Sequence, residues 1–599
     1  MDFVFIKVTP RQWSIGAALL LIALTSATAR AFEFGPEDAF NVRGKVYAQY
    51  TMATEDSQEY SNGTAIDPAG TPRRVTGNMI QNRYFYAPEF EVNFKRLLRK
   101  TPARKWLDEL DGRVTVWGFY DGIYDYGPKG WAQTIAQIRR EELQFNTKGY
   151  RISEAMNQNA EKRNPRDIYG ASTRFNEAYV DMAKGPAWLR IGRQAISWGE
   201  ADTIGLLDAN NPFDTNIQPG LFMDLDEARI PLWTIRGTYE LFSTWGPFSS
   251  AFFEAYWVPG WLDTTVGPLV VQSGSPFSLP PPASAGPNAP AGTGPKLQIF
   301  QHLPEPSTAN SRWGTKLQAV VARDYNLAGW FYTTFPIAPV PVMQGITQES
   351  GLVTTALENK LTNVIGVAGS FYSEKLNSII RTEVELFNGE PGFLAYKNIG
   401  QSVASGFSKP GSYERTNILR GELGLDRNFF IPALNPTSSF LLVSSIVWFL
   451  NTDETSHKDF RANGIQKPSA IERQQKGGAP AGFYSGPQCD NKNYVDPVTG
   501  EHLPCDFVNM NKLDGFGQVT LRTDLMHGTL TPQLTTIATA RGAILFAPSV
   551  VYRLTDNILL DIKYVNTHTF GSLDNGYTLG VGLQRDRDEV FVRATFQLN

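Results

Sequence analysis

The sequence predicts an all-β chain that closes into a transmembrane antiparallel β-barrel of about 18 strands, within a range of about 16 to 20. Three observations predict it. Segments with a period of two recur from one end of the chain to the other, no apolar run after residue 31 is long enough for a helical span, and short connections alternate with long ones.

The N-terminus reads as an export signal. Lys7 and Arg11 give a positive start, Ile15 to Leu24 is almost wholly apolar, and Ala29-Arg30-Ala31 offers small residues for cleavage before Phe32. An uncleaved anchor is the poorer reading, because that run holds only about 10 residues and a helical span needs about 20. The expected division is therefore a signal peptide over 1–31 and a single barrel domain over 32–599. The longest later apolar stretch, Ser438 to Leu450, suits a tilted strand and not a helix.

Composition agrees with a barrel. Aromatics make up 12% of the chain and Gly numbers 53, while the mean hydropathy of -0.26 is that of a soluble protein. A barrel reads this way because only every second strand residue meets lipid. The net charge of -4 argues against a nucleic-acid partner.

The first strand, Val42 to Met52, places Val42, Gly44, Val46, Ala48, Tyr50 and Met52 on one face and Arg43, Lys45, Tyr47, Gln49 and Thr51 on the other. Ile380, Thr382, Val384 and Leu386 oppose Arg381, Glu383 and Glu385 in the same way. Leu419, Gly421, Leu423 and Leu425 oppose Arg420, Glu422 and Asp426, and Val519, Leu521 and Leu525 oppose Gln518, Thr520, Arg522 and Asp524. One face suits lipid and the other a wet lumen.

Further segments of this kind fall near 83–94, 113–125, 174–182, 188–198, 230–242, 249–258, 313–322, 327–335, 361–374, 438–450, 529–540, 543–553, 557–567 and 588–598. With both ends in the periplasm, the periplasmic turns come out brief and the extracellular loops long. Lys95 to Gly112 and Arg427 to Thr437 break that pattern, the first as a short amphipathic helix at the rim, and the outer turn near Arg541 is unusually tight. The Pro-rich run from Ser278 to Gly294 is expected to be a flexible surface loop, since strand patterning resumes at Trp313. At the C-terminus, Val592, Ala594, Phe596 and Leu598 alternate with Arg593, Thr595, Gln597 and Asn599 to close the sheet.

No catalytic constellation is present, and the chain is read as a non-enzyme. The histidines His302, His457, His502, His527 and His568 are scattered, and no nucleophile elbow or phosphate loop occurs. No metal site or cofactor is expected: Asp490, Asn493 and Asp496 lack the spacing of a calcium loop and read as an Asx-rich turn. Cys489 and Cys505, with 15 residues between them in an exported chain, are expected to form one local disulfide in a long loop.

The most informative run is Gly192-Arg193-Gln194-Ala195-Ile196-Ser197-Trp198-Gly199-Glu200, followed by Asn211-Pro212-Phe213-Asp214. With Phe32-Glu33-Phe34, Glu227-Ala228-Arg229-Ile230-Pro231 and the ending from Arg585 to Asn599, it resembles a family of Gram-negative outer-membrane proteins catalogued as a domain of unknown function. Phe596 stands where that pattern has Tyr. The resemblance implies a bacterial outer-membrane location, contact with outer-membrane lipid and lipopolysaccharide, and a porin-like channel or transport component. Family members are often encoded near resistance-nodulation-division type exporters and in bacteria that degrade hydrophobic compounds. The resemblance therefore implies an inner-membrane exporter as partner and a hydrophobic or amphipathic organic molecule as the small-molecule solute. A non-conducting barrel that displays surface loops for adhesion or binding is the alternative.

The loop after Trp198 is strongly acidic, with Glu200, Asp202, Asp208, Asp214, Asp224, Asp226 and Glu227 against Arg229. Folded inward, it would face the basic wall residues Arg381 and Arg420, beside Glu383 and Glu422, as charged rings do in selective pores. Left outside, it is a solvated loop. Arg193 poses a problem, because strict alternation sends it to lipid with Leu189 and Ile191 at a cost of about 2–4 kcal/mol. A bulge at Gly192 that turns Arg193 inward toward Glu177 or Glu200, or snorkelling to the headgroups, would resolve it.

Overall fold

The computed structural model describes residues 32–56, 74–127, 170–201, 207–214, 225–266, 297–302, 304–336, 340–347, 352–392, 414–452, 461–466, 507–509, 513–570, 581 and 587–598. The expected signal, the Pro-rich run, Asp202, Cys489, Cys505 and the Asx-rich turn lie outside them.

The wall is a closed ring of 18 antiparallel strands. In chain order these are β1 (Phe40–Ala53), β2 (Met79–Asn93), β3 (Glu109–Asp121), β4 (Ala171–Lys184), β5 (Ala187–Gln194) and β6 (Leu232–Trp245). They continue as β7 (Phe248–Val258), β8 (Arg312–Val321), β9 (Tyr325–Thr334), β10 (Thr362–Ser373), β11 (Ser378–Gly392) and β12 (Glu414–Phe429). The ring is completed by β13 (Phe440–Asn451), β14 (Leu513–Thr523), β15 (Leu530–Thr539), β16 (Ala543–Arg553), β17 (Ile558–Thr569) and β18 (Glu589–Leu598). Each strand pairs with its sequence neighbours, and β18 closes on β1 from Gly44↔Leu598 to Ala53↔Glu589. Closure leaves no open wall edge, which a lipid setting requires. A three-residue strand, Phe32–Phe34, adds to the start of β1.

The period-2 pattern sets the faces. Along β11, Arg381, Glu383 and Glu385 are buried inward, and along β1 so are Tyr47, Gln49 and Thr51. The opposite positions carry exposed apolar side chains, among them Val367, Leu423, Ile446, Leu317 and Phe253. In water that surface would be a severe aggregation liability; in a bilayer it is the solvent-matched face. Aromatics mark its two edges. Trp245 and Phe248 flank one turn, Trp257 pairs with Trp313 near the other end, and the span from Phe248 to Trp257 along β7 rises about 23 Å along the barrel axis at ordinary strand rise and tilt. That height matches an outer-membrane hydrocarbon layer.

Connections differ between the two ends. Gly185 and Gly246 take positive φ angles of 54° and 60° in two-residue turns, where a left-handed backbone fits the strand twist. The β2–β3 connection instead holds a helical turn, Phe94–Leu97, whose first turn is capped by the Asn93 side chain accepting from the Arg96 amide. At the far end the tight exception is Ala540–Gly542, with Gly542 at φ 88°. The long connections there carry their own strands: Val340–Thr347 and Leu352–Glu358 form a hairpin, with Leu297–His302 parallel to its second strand.

Candidate functional site

The segment between β5 and β6 does not stay outside the barrel. At its start, the Ile196 amide donates to Asn211 Oδ1 at 2.7 Å, and Asn211 Nδ2 donates to the Ile230 carbonyl, so one asparagine ties both ends of the excursion. Trp198 is buried against Tyr256 and Tyr332. Its Nε1 donates to Glu254 Oε1 at 2.7 Å, and Glu254 also receives Arg236 at 2.7 Å. The inner-wall cluster around it includes Ile196, Leu232, Val258, Trp330, Val364 and Phe387.

Gly199 follows at φ 95°, where a Cβ would stand 2.1 Å from Glu383 Oε2. Only glycine fits so close an approach in that backbone state. The amides of Glu200 and Ala201 then donate to Glu383 Oε2 at 2.6 and 3.1 Å. Glu200 Oε1 accepts from Asn326, and its carbonyl accepts from Arg381. Beyond the undescribed stretch that contains Asp202, the Tyr332 hydroxyl donates to the Leu207 carbonyl and accepts from the Ala209 amide. Tyr256 OH donates to Asn210 Oδ1 at 2.8 Å.

The acidic side chains find cations close by. Asp208 pairs with Arg229 at 3.2 Å and Asp214 with Arg174 at 3.5 Å. Glu227, on the helical turn Leu225–Ala228, pairs with Lys45 at 2.9 Å and accepts from Tyr47 OH at 3.0 Å. Burial pushes the Glu227 carboxyl up, but Lys45, Arg593 and Arg83 outweigh it, and the group sits below the usual glutamate range. The segment is thus pinned at β11 through Glu383 and at β1 through Lys45 and Tyr47. In the ring of 18 these strands lie ten steps apart one way and eight the other, and the contacts with Tyr332 on β9, Tyr256 on β7 and Arg174 on β4 lie on the inner wall between them.

Several expected pairings differ. Arg381 meets the acidic loop at the Glu200 carbonyl and also pairs with Asp426 at 3.0 Å, while Arg420 pairs with Glu390 and lies over the Phe387 ring at 3.8 Å. The loop also docks on acidic Glu383, through backbone amides. Glu383 stands directly across from Glu422 in the β11–β12 register, both nearly fully buried. Like charges in that position repel, and the two loop amides on Glu383 offset part of the cost.

Arg193 is also held differently from the expectation. The β4–β5 and β5–β6 registers run unbroken through Gly192, so no bulge occurs there. Gly192 at φ 139° is required because a Cβ would meet the Ala178 carbonyl at 2.2 Å. The bulge lies on the neighbouring strand, where Thr115 pairs Glu177 and Val116 pairs Phe175, leaving Asn176 extra. Arg193 Nε donates to the Asn176 carbonyl at 3.1 Å, and neither Glu177 nor Glu200 is its partner: Glu177 lies at 3.7 Å from Arg113. A backbone carbonyl at the bulge thus receives one donor of the arginine.

Tyr256, Tyr332, Glu254 and Arg174 belong to the docking surface and were not singled out from sequence. Their inward alternation was readable; their partners, more than 50 residues away in several cases, were not. Among the described residues no group of three or more His, Cys, Asp or Glu side chains is arranged to hold a metal ion.

The family profile described as "Protein of unknown function (DUF1302)" matches residues 12–598. The chain belongs to the DUF1302 family. No curated protein matches it. Among solved structures, it is similar to OccK9 (OpdG) of Pseudomonas aeruginosa, with 8% identity over 94% of this chain and 100% of that one and a TM-score of 0.42. It is also similar to OccAB1 of Acinetobacter baumannii, with 9% identity over 96% and 99% and a TM-score of 0.41. The outer membrane channel DcaP of Acinetobacter baumannii shares 11% identity over 96% and 99%, with a TM-score of 0.34. This DUF1302 protein is an 18-strand barrel of the outer membrane, with an apolar face toward lipid.

Proposed function

We propose that this DUF1302 protein is a porin-like conduit for small molecules, narrowed by the segment from Gly199 to Pro231, with hydrophobic or amphipathic organic solutes as its cargo. The observation that carries the reading is the tether from β11 to β1: a loop pinned inside the barrel through Glu383 at one wall and Lys45 at the other would take up part of the lumen and narrow it. The loop carboxylates Asp208 and Asp214, with Glu200 and Arg229, would set the local field, because charges in a narrow, partly dehydrated passage act at lower effective dielectric than on an open surface. Arg381, Glu383, Arg420 and Glu422 form the wall against which it rests, and Arg193 braces the strand end from which it leaves. The organic-solute preference and an inner-membrane exporter as partner rest on the resemblance alone. No catalytic role is proposed.

Single-channel recording in planar bilayers tests the conduit. Discrete conductance steps are expected, and their absence with correctly folded protein favours a barrel that only displays its loops. Reversal potentials under a salt gradient test the narrowing. The Asp208→Asn/Asp214→Asn variant leaves Arg229 and Arg174 without their carboxylates and should shift selectivity away from cations. Unchanged potential and conductance would retire the narrowing, since freely solvated charges are screened within about 8–10 Å.

A further inference from the structure

A cavity of about 570 Å³ opens between the inner faces of β1 to β4 and one side of the inserted segment, where Ala195, Arg229 and Pro231 contribute to its lining. That volume is the size of a site for a small organic molecule. Four basic and four acidic side chains meet in the lining. The four cations are each matched. Arg43 lies 3.6 Å from Glu91, and Lys45 lies 2.9 Å from Glu227. Arg113 lies 2.8 Å from Glu89 and 3.7 Å from Glu177, and Arg229 holds Asp208 at 3.2 Å.

A solute with a net charge would have to break one of these pairs or enter without a counter-ion, and an uncompensated charge in a partly dehydrated site is disfavoured. An uncharged solute meets neither obstacle. The lining also offers an aromatic wall in Trp117. Thr115 and Asn176, each 5% exposed, carry side-chain oxygens without a hydrogen-bond partner among the described residues, and Arg229 Nε is a donor in the same condition. The β4 bulge is what adds Asn176 to this wall beside Glu177, two successive residues on one side of a strand. A molecule with an apolar body and a neutral group that both donates and accepts, such as a hydroxyl or an amide, suits these features together.

We propose that this cavity is a binding station selective for uncharged amphipathic molecules, with Trp117 against the apolar body and Thr115, Asn176 and Arg229 toward the neutral polar group. The proposal deepens the conduit reading and rests on it for its role in passage. Its test uses a matched set: 2-phenylethanol, phenylacetate and phenethylammonium. Each is titrated calorimetrically into the full-length protein folded in detergent, against detergent blanks, and each is applied to the channel in planar bilayers.

The neutral alcohol should bind at least about ten-fold more tightly than either ion, a difference near 1.4 kcal/mol. Glu89→Gln removes the nearer partner of Arg113 and should bring phenylacetate to parity with the alcohol or beyond. Heat-modifiable migration checks that variant's fold; if it does not fold, Glu177→Gln carries the same expectation. Equal or tighter wild-type binding of either ion, or an unchanged order in the folded variant, overturns the proposal. If the binding order holds but no conductance is seen, the station stands and the conduit falls. If conductance is seen without the order, the conduit stands and the station falls.

Discussion

The inner faces of β11 and β12 carry Arg381, Glu383, Glu385, Arg420 and Glu422, whereas those of β15 and β16 run through Thr531, Gln533, Thr535, Ile537, Leu545, Ala547 and Ser549 with no charge before Arg553 at the exposed strand end. Both stretches alternate and pair antiparallel, with a register shift between Phe387 and Glu390 on the charged side only. The difference is in what they hold. The charged wall receives loop amides and the Trp198 cluster, while the neutral wall is fastened by an inward apolar cluster that includes Phe516, Ile537, Leu545 and Val565. In this barrel, the charged wall seats the β5–β6 segment through polar contacts, whereas the neutral wall takes Val581 of the β17–β18 connection into its apolar cluster.

The sharpest way to break that comparison is at a glycine on each side. Gly199→Ala puts a methyl 2.1 Å from Glu383 Oε2 at φ 95°, a strain of about 1–3 kcal/mol, and should release the loop and change single-channel conductance several-fold. Gly517→Ala, on the lipid-facing side of β14 across from Ile446, meets nothing nearer than a carbonyl at 3.9 Å and should leave conductance unchanged. Matching traces for the two variants would end the claim that Gly199 seats the loop on the charged wall.

A smaller effect is expected from Trp198→Phe, which keeps a ring in the cluster but removes the donor to Glu254. Loss of a hydrogen bond to a charged acceptor costs about 1.5–3 kcal/mol, and a lowered thermal midpoint with the barrel still heat-modifiable would register it. An unaltered midpoint would mean that packing against Tyr256 and Tyr332 alone seats the loop.

Acid sharpens the comparison from the other anchor. Because the Glu227 carboxyl is held below its ordinary value of 4.5, its contribution is fully present above that value and is lost only as pH falls through the lower folded-state value. Protease access to the segment should therefore stay constant from neutral pH to about 4.5 and rise only below it. In Glu227→Gln, access should be raised at every pH. Release of the wild-type loop near neutrality would contradict the assignment of Lys45 and Tyr47 as its anchor.

The smallest effect belongs to the neutral wall. Thr520→Val removes one partner of the Thr520–Thr535 hydroxyl pair at 3.1 Å and should cost about 0.5–1.5 kcal/mol with no change in selectivity. A selectivity shift there would show that the neutral face takes part in passage.

Much of the architecture could be read from residues alone. The alternation of Ile380, Thr382, Val384 and Leu386 against Arg381, Glu383 and Glu385 assigns faces correctly, and all 18 segments with alternating pattern became wall strands. The acidic character of the loop after Trp198 was equally plain. Its attachment was not: the loop meets Arg381 through the Glu200 backbone carbonyl and Glu383 through two backbone amides, while Asp426 and Glu390 pair with Arg381 and Arg420. Arg193 was recognised as a difficulty, yet its solution lies in a bulge on the adjacent strand.

The sequence by itself determined a strand number near 18, the facing of most wall side chains and the placing of long loops at one end, because a period of two is local and needs no partner. Only the tertiary structure decided which rung meets which, that a bulge adds Asn176 to the inner wall, that Gly199 seats the loop on Glu383, and that the far end of the loop is held at Lys45. Those choices depend on register between strands and on contacts spanning more than 180 residues of chain, and no local pattern encodes them.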